Sequence, residues 1–334
     1  GADLRFVSNR LAFDFTWYQT YATNQLIAIP MDPLSGFNSR MINAGNIENK
    51  GIEFMINGSI LESREGLRWN AQFNYSTNTN RIIELYEDIQ FYRLGGFDNL
   101  SILAETGGLY GEIYGSAFLR VDDETSPHHG EIIVDANGYP LKDPEPRHLG
   151  NQQPNALMGI TNTFGYKGVT FSFLVDGRFG GEIFSQTNQQ MQYIGTAAVT
   201  APGGERPGVV VEGVVENGDG TYSANTTEIT QEQYWAVAAG TDNLGINEAN
   251  IYDATNVRLR YIALNYEIPR RLLTNVPVQS IRVGATVNNV WLITSHMNGV
   301  DPESVFATGT NALGFENAAP PTSRTILFNL SVSF

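Results

Sequence analysis

The sequence predicts an all-β fold of long antiparallel strands, each with one apolar and one polar face. Three observations predict it: period-2 alternation in eight segments, strand lengths beyond those of most globular proteins, and connections that alternate between short and long.

The eight segments are 4–20, 46–61, 67–80, 154–166, 168–180, 254–268, 279–294 and 322–334. In the third, Leu67, Trp69, Ala71, Phe73 and Tyr75 share one face, and Arg68, Asn70, Gln72, Asn74 and Ser76 share the other. The last has the same form: Ile326, Phe328, Leu330, Val332 and Phe334 alternate with Thr325, Leu327, Asn329, Ser331 and Ser333. Val169, Phe171, Phe173, Val175 and Phe179 form the apolar set of the fifth segment, and Leu11, Phe13, Phe15 and Trp17 that of the first. In 254–268 the apolar phase switches between Leu259–Tyr261 and Leu264–Tyr266–Ile268, which predicts a β-bulge near Ile262.

Connections 62–66, at Lys167 and 269–278 are short, whereas 21–45, 81–153, 181–253 and 295–321 are long. If successive strands are antiparallel neighbours, all short links lie at one end and all long links at the other. Short periplasmic turns and long outer loops are the asymmetry of a transmembrane β-barrel. Aromatic placement agrees. Trp69, Tyr166, Tyr266 and Phe334 fall near the short-link end and Trp17, Phe179 and Trp291 toward the other, as membrane girdles would.

Composition narrows the function classes. The 334 residues include 34 Gly, 18 Phe and 15 Tyr but no Cys, which excludes disulfides and thiolate metal sites. No apolar run approaches the ~18 residues of a spanning helix, and residues 1–10 lack a signal-peptide pattern. The net charge of −15 is concentrated: residues 81–153 carry 13 acidic and 5 basic side chains, and residues 181–252 carry 9 and 1. Such segments repel phosphate backbones, so nucleic acid is not an expected partner.

Several stretches resemble the SusC/RagA family of TonB-linked outer-membrane transporters. They are NRLAFDFTWYQTYATNQLI followed by AGNIENKGIEF, GGLYGEIYGSAFLRVD, NVRLRYIALNYEIPRRLL, VGATVNNVWLITSHMNGVDPE and the ending PPTSRTILFNLSVSF. The resemblance implies that residues 1–334 are the C-terminal portion of a larger, 22-stranded barrel, about its last eight strands. The plug domain and TonB box are then absent from this chain. It further implies residence in the outer membrane of a Bacteroidota bacterium and contact with outer-membrane lipid. A SusD-like surface lipoprotein is the implied partner, and TonB contact belongs to the missing N-terminal part. The last strand, with Ile326, Phe328, Leu330, Val332 and Phe334, is implied to be the barrel-assembly signal.

The expected function is TonB-dependent import of an oligosaccharide or peptide. The alternatives are a small autonomous outer-membrane barrel serving as adhesin or structural protein, and a secreted glycan-binding β-protein. Substrate- or partner-facing candidates in the long loops are Phe91, Tyr92, Tyr110, Tyr114, Asn188, Gln189, Gln190, Tyr193, Tyr234 and Trp235, whose rings and amides suit sugar or peptide contacts. No hydrolase elbow, phosphate loop or dinucleotide fingerprint occurs in a supporting context, so no enzyme is expected. No cofactor or metal is expected either. Asp135 and Asn137 sit where related sequences carry a calcium-loop-like stretch, but Tyr139 and Pro140 break the pattern and favour a plain turn. His128, His129, His148 and His296 lack zinc spacing.

Overall fold

The computed structural model describes all residues except 31–33, 35, 38, 44, 64–65, 87–88, 241–244, 275–276 and 305–310. Parts of the short links expected at 62–66 and 269–278 therefore lie outside the described residues. Nine strands form one antiparallel meander: β1 Ala2–Phe6, β2 Leu11–Ala22, β3 Asn46–Glu62, β4 Arg68–Glu84, β5 Ala156–Tyr166, β6 Val169–Phe179, β7 Asn256–Glu267, β8 Ser280–Ser295 and β9 Thr325–Ser333. Sheet order equals chain order throughout.

The count is nine rather than eight because the expected strand 4–20 is the hairpin β1–β2. Val7, Ser8 and Asn9 have φ of 53°, 52° and 66°, which reverses the chain. The Arg10 N–H donates to the Val7 carbonyl at 3.1 Å, and its guanidinium donates to the carbonyls of Ser59 and Ile60 on β3. Alternation runs through this turn almost unbroken, so the pattern conceals it.

Register builds the two faces. On one, Phe15 sits opposite Phe54, Phe54 opposite Tyr75, and Tyr75 opposite Met158. A second row runs Trp69, Phe164, Phe171, Leu264, Ala285 and Phe328 from β4 to β9. Rings touch along this face: Phe6–Phe13–Phe54–Phe73 at centroid distances of 5.8, 6.2 and 6.4 Å, and Trp69–Phe164 at 5.6 Å. The opposite face carries Asp14, Met55, Asn74, Gly159, Asp176 and Arg258 in register. An apolar band facing lipid and a polar face toward a lumen give this alternation.

The bulge lies at Arg260, two residues before Ile262. Tyr261 pairs with Leu174 and Leu259 with Val175, so Arg260 has no opposite number on β6. The shift returns Ile262, Leu264 and Tyr266 to the apolar face and turns Arg260 toward the polar one.

The β5–β6 hairpin closes on Lys167 and Gly168, with φ of 47° and 85°. Positive φ at both central residues is a type I′ turn, whose twist matches paired strands. At the other end the chain leaves the sheet for long excursions after β2, β4, β6 and β8. β3 and β4 have 17 residues each and β8 has 16. A tilted strand crosses a bilayer in about 9–11, so these project beyond it.

β1 and β9 each pair on one side and not with each other. The small barrel closed first strand to last is therefore not formed, and the sheet is an open stretch of wall. Among the described residues no helix is long and apolar enough to cross a membrane.

Candidate functional site

The long excursions knit into a cap at one end of the wall. Strand Ile133–Val134, from the excursion after β4, pairs in parallel with Val214–Glu216, from the one after β6. Strand Glu182–Ser185 pairs antiparallel with Ile251–Asp253 and parallel with Phe315–Glu316, from the excursion after β8. Leu100, Ile102, Ile113, Phe184, Ala312 and Phe315 make one buried cluster from all three.

Buried polar side chains join the same segments. Gln152 Oε1 accepts the N–H groups of Leu313 and Gly314 at 2.7 and 2.8 Å, and its Nε2 donates to the Asn311 carbonyl at 2.8 Å. Helix α1, Gln186–Ile194, begins at the N-cap Ser185, whose hydroxyl accepts the Asn188 N–H. The buried Glu316 carboxylate accepts from Ser185 Oγ at 2.9 Å, Thr187 Oγ1 at 2.5 Å and the Thr187 N–H at 3.3 Å. A carboxylate at a helix N-terminus answers both the free N–H groups and the helix dipole.

An ion network fastens the excursion after β8 to the wall. Arg258 pairs with Asp301, and the bulged Arg260 bridges Asp176 on β6 at 2.9 Å and Glu303 at 2.6 Å. Asp301 also accepts the Thr322 N–H at 2.9 Å and the Glu303 N–H at 3.0 Å, tying the two ends of the excursion together. Burial opposes charge on Asp301, but the Thr322 hydroxyl, these N–H groups and the Arg258 guanidinium outweigh it and hold the carboxyl below its ordinary pKa.

Two of the recesses that open at the cap are rich in polar and charged side chains. One, of about 330 Å³, is lined by Arg120, Arg147 and His148 together with Asp122, Asp143 and Glu248. Its charges are largely consumed internally: Arg120 with Glu248 at 2.7 Å, Arg147 with Asp143 at 2.7 Å, and His148 with Glu112. The other, of about 300 Å³, opens where β4 outruns β5. Pairing of β4 with β5 stops at Ser76–Leu157, while pairing with β3 continues to Glu84–Asn46. Asn78, Asn80, Asn151, Gln153 and Asn155 bring five amides to this notch, and Glu182 brings its one carboxylate. Tyr18 OH donates to Asn78 Oδ1 at 3.1 Å, the Asn151 N–H donates to Glu182 at 2.7 Å, and Asn80 Oδ1 is buried without a donor.

The loop candidates separate by burial. Phe91, Gln190 and Tyr193 are exposed on the cap. Tyr92 and Tyr110 pack against Ile82, Leu85 and Ala104, and burial pushes the Tyr110 phenol up to about 12. Tyr114, also pushed up to about 12, first by burial and then by Glu105, donates to Glu105 at 2.7 Å. Both phenols therefore stay protonated at neutral pH.

Three candidates are corrected by the structure. Asn188 and Gln189 are buried, the first bonded to Ser185 Oγ and the second to the Ala239 carbonyl. Trp235 is buried beside Phe118, Ala238 and Ile246, with its Nε1 donating to Gln231 at 3.1 Å, and Tyr234 packs edge-on against it. These side chains are engaged in packing and hydrogen bonds within the cap. Near Asp135, the carboxylate accepts the N–H groups of Asn137 and Tyr139, both at 2.9 Å, and is engaged by its own turn.

Register puts Trp17, Trp69, Tyr166, Phe179, Tyr266 and Trp291 all on the apolar face, near its two edges. Trp69 Nε1 donates to Asn162 Oδ1 at 3.0 Å, which gives a partner to that amide, set between Ala71 and Phe173 on the apolar face. Ile326, Phe328, Leu330 and Val332 extend the face along β9, with Phe334 just beyond it.

The sequence gives no signal for either recess, because the notch joins residues 78–80, 151–155 and 182 across two excursions.

Fold and cap together define a class: a segment of outer-membrane β-barrel wall bearing large loops on one side. Comparison with known proteins gives the particular kind. No protein-family model matches the chain. It is 25% identical over 366 residues to the TonB-dependent receptor P3 of Formosa agariphila, covering 100% of this chain and 33% of that protein. With the TonB-dependent receptor SusC of Bacteroides thetaiotaomicron it shares 24% identity over 347 residues, 100% of this chain and 31% of that protein. The RagAB peptide transporter matches the fold with a TM-score of 0.68 at 19% identity, covering 98% of this chain and 34% of that one. The closed-closed RagAB peptide importer gives 0.69 at 18%, with 99% and 34% covered. The chain thus spans about a third of the length of the curated relatives it matches. It is SusC/RagA-like from end to end and is a partial barrel.

Proposed function

We propose that this chain forms wall and outer lip of a TonB-dependent importer for an oligosaccharide or peptide, and that it catalyses no reaction. One observation supports the reading most: an apolar band runs across nine strands opposite a polar face, with every large loop at one end. A lipid-facing wall around an aqueous lumen needs that arrangement. The cap is then the extracellular mouth, where a SusD-like lipoprotein docks. Phe91, Gln190 and Tyr193 are the candidates still free to meet a partner or cargo. The position as the C-terminal part of a 22-stranded barrel, with a plug and TonB-contacting segment preceding it, belongs to the same proposal. So do the girdle role of the edge aromatics and the assembly role of β9.

The test is to delete the whole transporter from its bacterium and to extract the tagged protein in detergent. Loss of uptake of solutes too large for porins, with a surface lipoprotein co-purifying, is expected. Unchanged uptake, or a protein that purifies without a lipoprotein, would overturn the proposal.

A further inference from the structure

The notch between the upper end of β4 and residues 151–155 has a backbone feature that its amides alone do not convey. β4 continues for eight residues past its last partner on β5, from Thr77 to Glu84. Along this stretch the even-numbered residues direct their main-chain groups to the β5 side. Ile82 shows this directly: its N–H donates to Gly108 at 3.0 Å, and its carbonyl accepts from Gly107 at 2.8 Å. At the other end the Thr77 carbonyl lies against Gly51 on β3 and anchors the same phase, with odd-numbered groups facing β3. Asn78 lies between those anchors, exposed, in the same phase, and unpaired on that side among the described residues. The residue that register would place opposite it, Asn155, spends its main-chain groups elsewhere: its N–H donates to the Phe179 carbonyl, and its carbonyl accepts the Thr77 hydroxyl at 2.7 Å.

We propose that this notch binds an extended peptide segment by strand addition, with the N–H and carbonyl of Asn78 as the pairing site. The argument rests on the import reading only in taking this end as the accessible mouth. A strand edge offers its donor and acceptor at alternate residues, and an extended peptide answers both at once. The buried Asn80 Oδ1, with no donor of its own, adds an acceptor beside the edge. Glu182, the only ionisable side chain of the lining, favours a segment bearing an ammonium group. No aromatic ring lines the notch, and sugars are commonly gripped by packing on such rings. A peptide fits this lining better than an oligosaccharide.

The probe is an acetylated, fluorescent hexapeptide of alanine and serine with one lysine, titrated onto the detergent-solubilised whole protein. In strand addition only alternate peptide residues face the edge. N-methylation of one alternate set is therefore expected to weaken binding about ten-fold or more, and of the other set to leave it within about two-fold. Asn78→Ala keeps the main-chain donor and should bind within about three-fold of the parent, whereas Asn78→Pro removes it and should lose about ten-fold. The N-methyl series is run on unaltered protein, so a misfolded proline variant leaves the test intact. Equal binding of the two N-methylated sets, or absence of binding to about 10 mM, would overturn the proposal. So would parent-like binding by a folded Asn78→Pro variant. Uptake assays separate the two readings: import without peptide binding sinks only the notch, and phase-dependent binding without import sinks only the transport.

Discussion

Wall and cap divide the usual labour of a protein in reverse. In most domains strands hold the core and loops are solvated. Here most of the largest fully buried apolar side chains, Phe184, Leu100, Ile102, Ile113 and Ile246, lie in the excursions, with Ile82 at the outer end of β4 the exception, whereas β1 and β9 have no buried residue. The wall keeps both faces against a solvent, lipid on one side and water on the other. Its strands need only alternation and complete ladders. The cap faces water on its outside alone, so it must build a core and pair most of the polar groups it buries. In this fold regular structure carries the architecture and irregular structure carries most of the packing.

The largest effect is expected from emptying the cap. Phe184→Ala removes a side chain that is 1% exposed, and a loss of about 3–5 kcal/mol is expected. Limited proteolysis should cut the excursions while the wall stays heat-modifiable on a gel. If wall and cap melted together, they would not be separate packing units. Next in size is Phe173→Arg, a charge on the apolar face, expected to cost about 2–4 kcal/mol and to lower outer-membrane abundance. Its neighbour Ser172→Arg, on the polar face, should be nearly neutral; equal damage from both would refute the assignment of faces.

Glu316→Gln leaves the shape of the α1 cap but weakens four hydrogen bonds, those from Ser185, Ala319 and both donors of Thr187. A loss of about 1–3 kcal/mol is expected, read as earlier proteolysis near 186–194. The clamp at Asp301 gives a pH test. Its native pKa lies below the ordinary 3.8, so its contribution is complete above that value and fades as the pH falls through the lower native one. Fluorescent labels on the excursion after β8 should gain mobility at acid pH in the parent, and Asp301→Asn should abolish that response. The smallest effect is expected from Arg282→Ala, which breaks the exposed pair with Glu267 at 3.1 Å and should cost at most ~1 kcal/mol.

Legibility followed the same division. Period-2 alternation located β3 to β9 within a few residues, because a two-solvent wall writes its faces directly into sequence. It missed the β1–β2 turn, since Val7 there adopts a conformation that β-branched residues rarely take. It placed the bulge near Ile262 rather than at Arg260, because a phase change brackets a bulge without marking the extra residue. In the cap the sequence offered residue types alone. Asn188 and Gln189 read as hydrogen-bonding surface amides, yet they are buried between helices by partners some fifty residues away or at the helix cap.

Local pattern was enough for the wall: strand number to within one, the two faces, and the sorting of loops to two ends. Each is a local property, repeated every second residue, and none depends on a distant partner. Which loop residues are buried, how Arg258 and Arg260 fasten the excursion after β8, and that β4 leaves Asn78 without a strand beside it are visible only in the folded molecule. Those outcomes come from contacts between segments far apart in the chain, whose geometry no local pattern encodes.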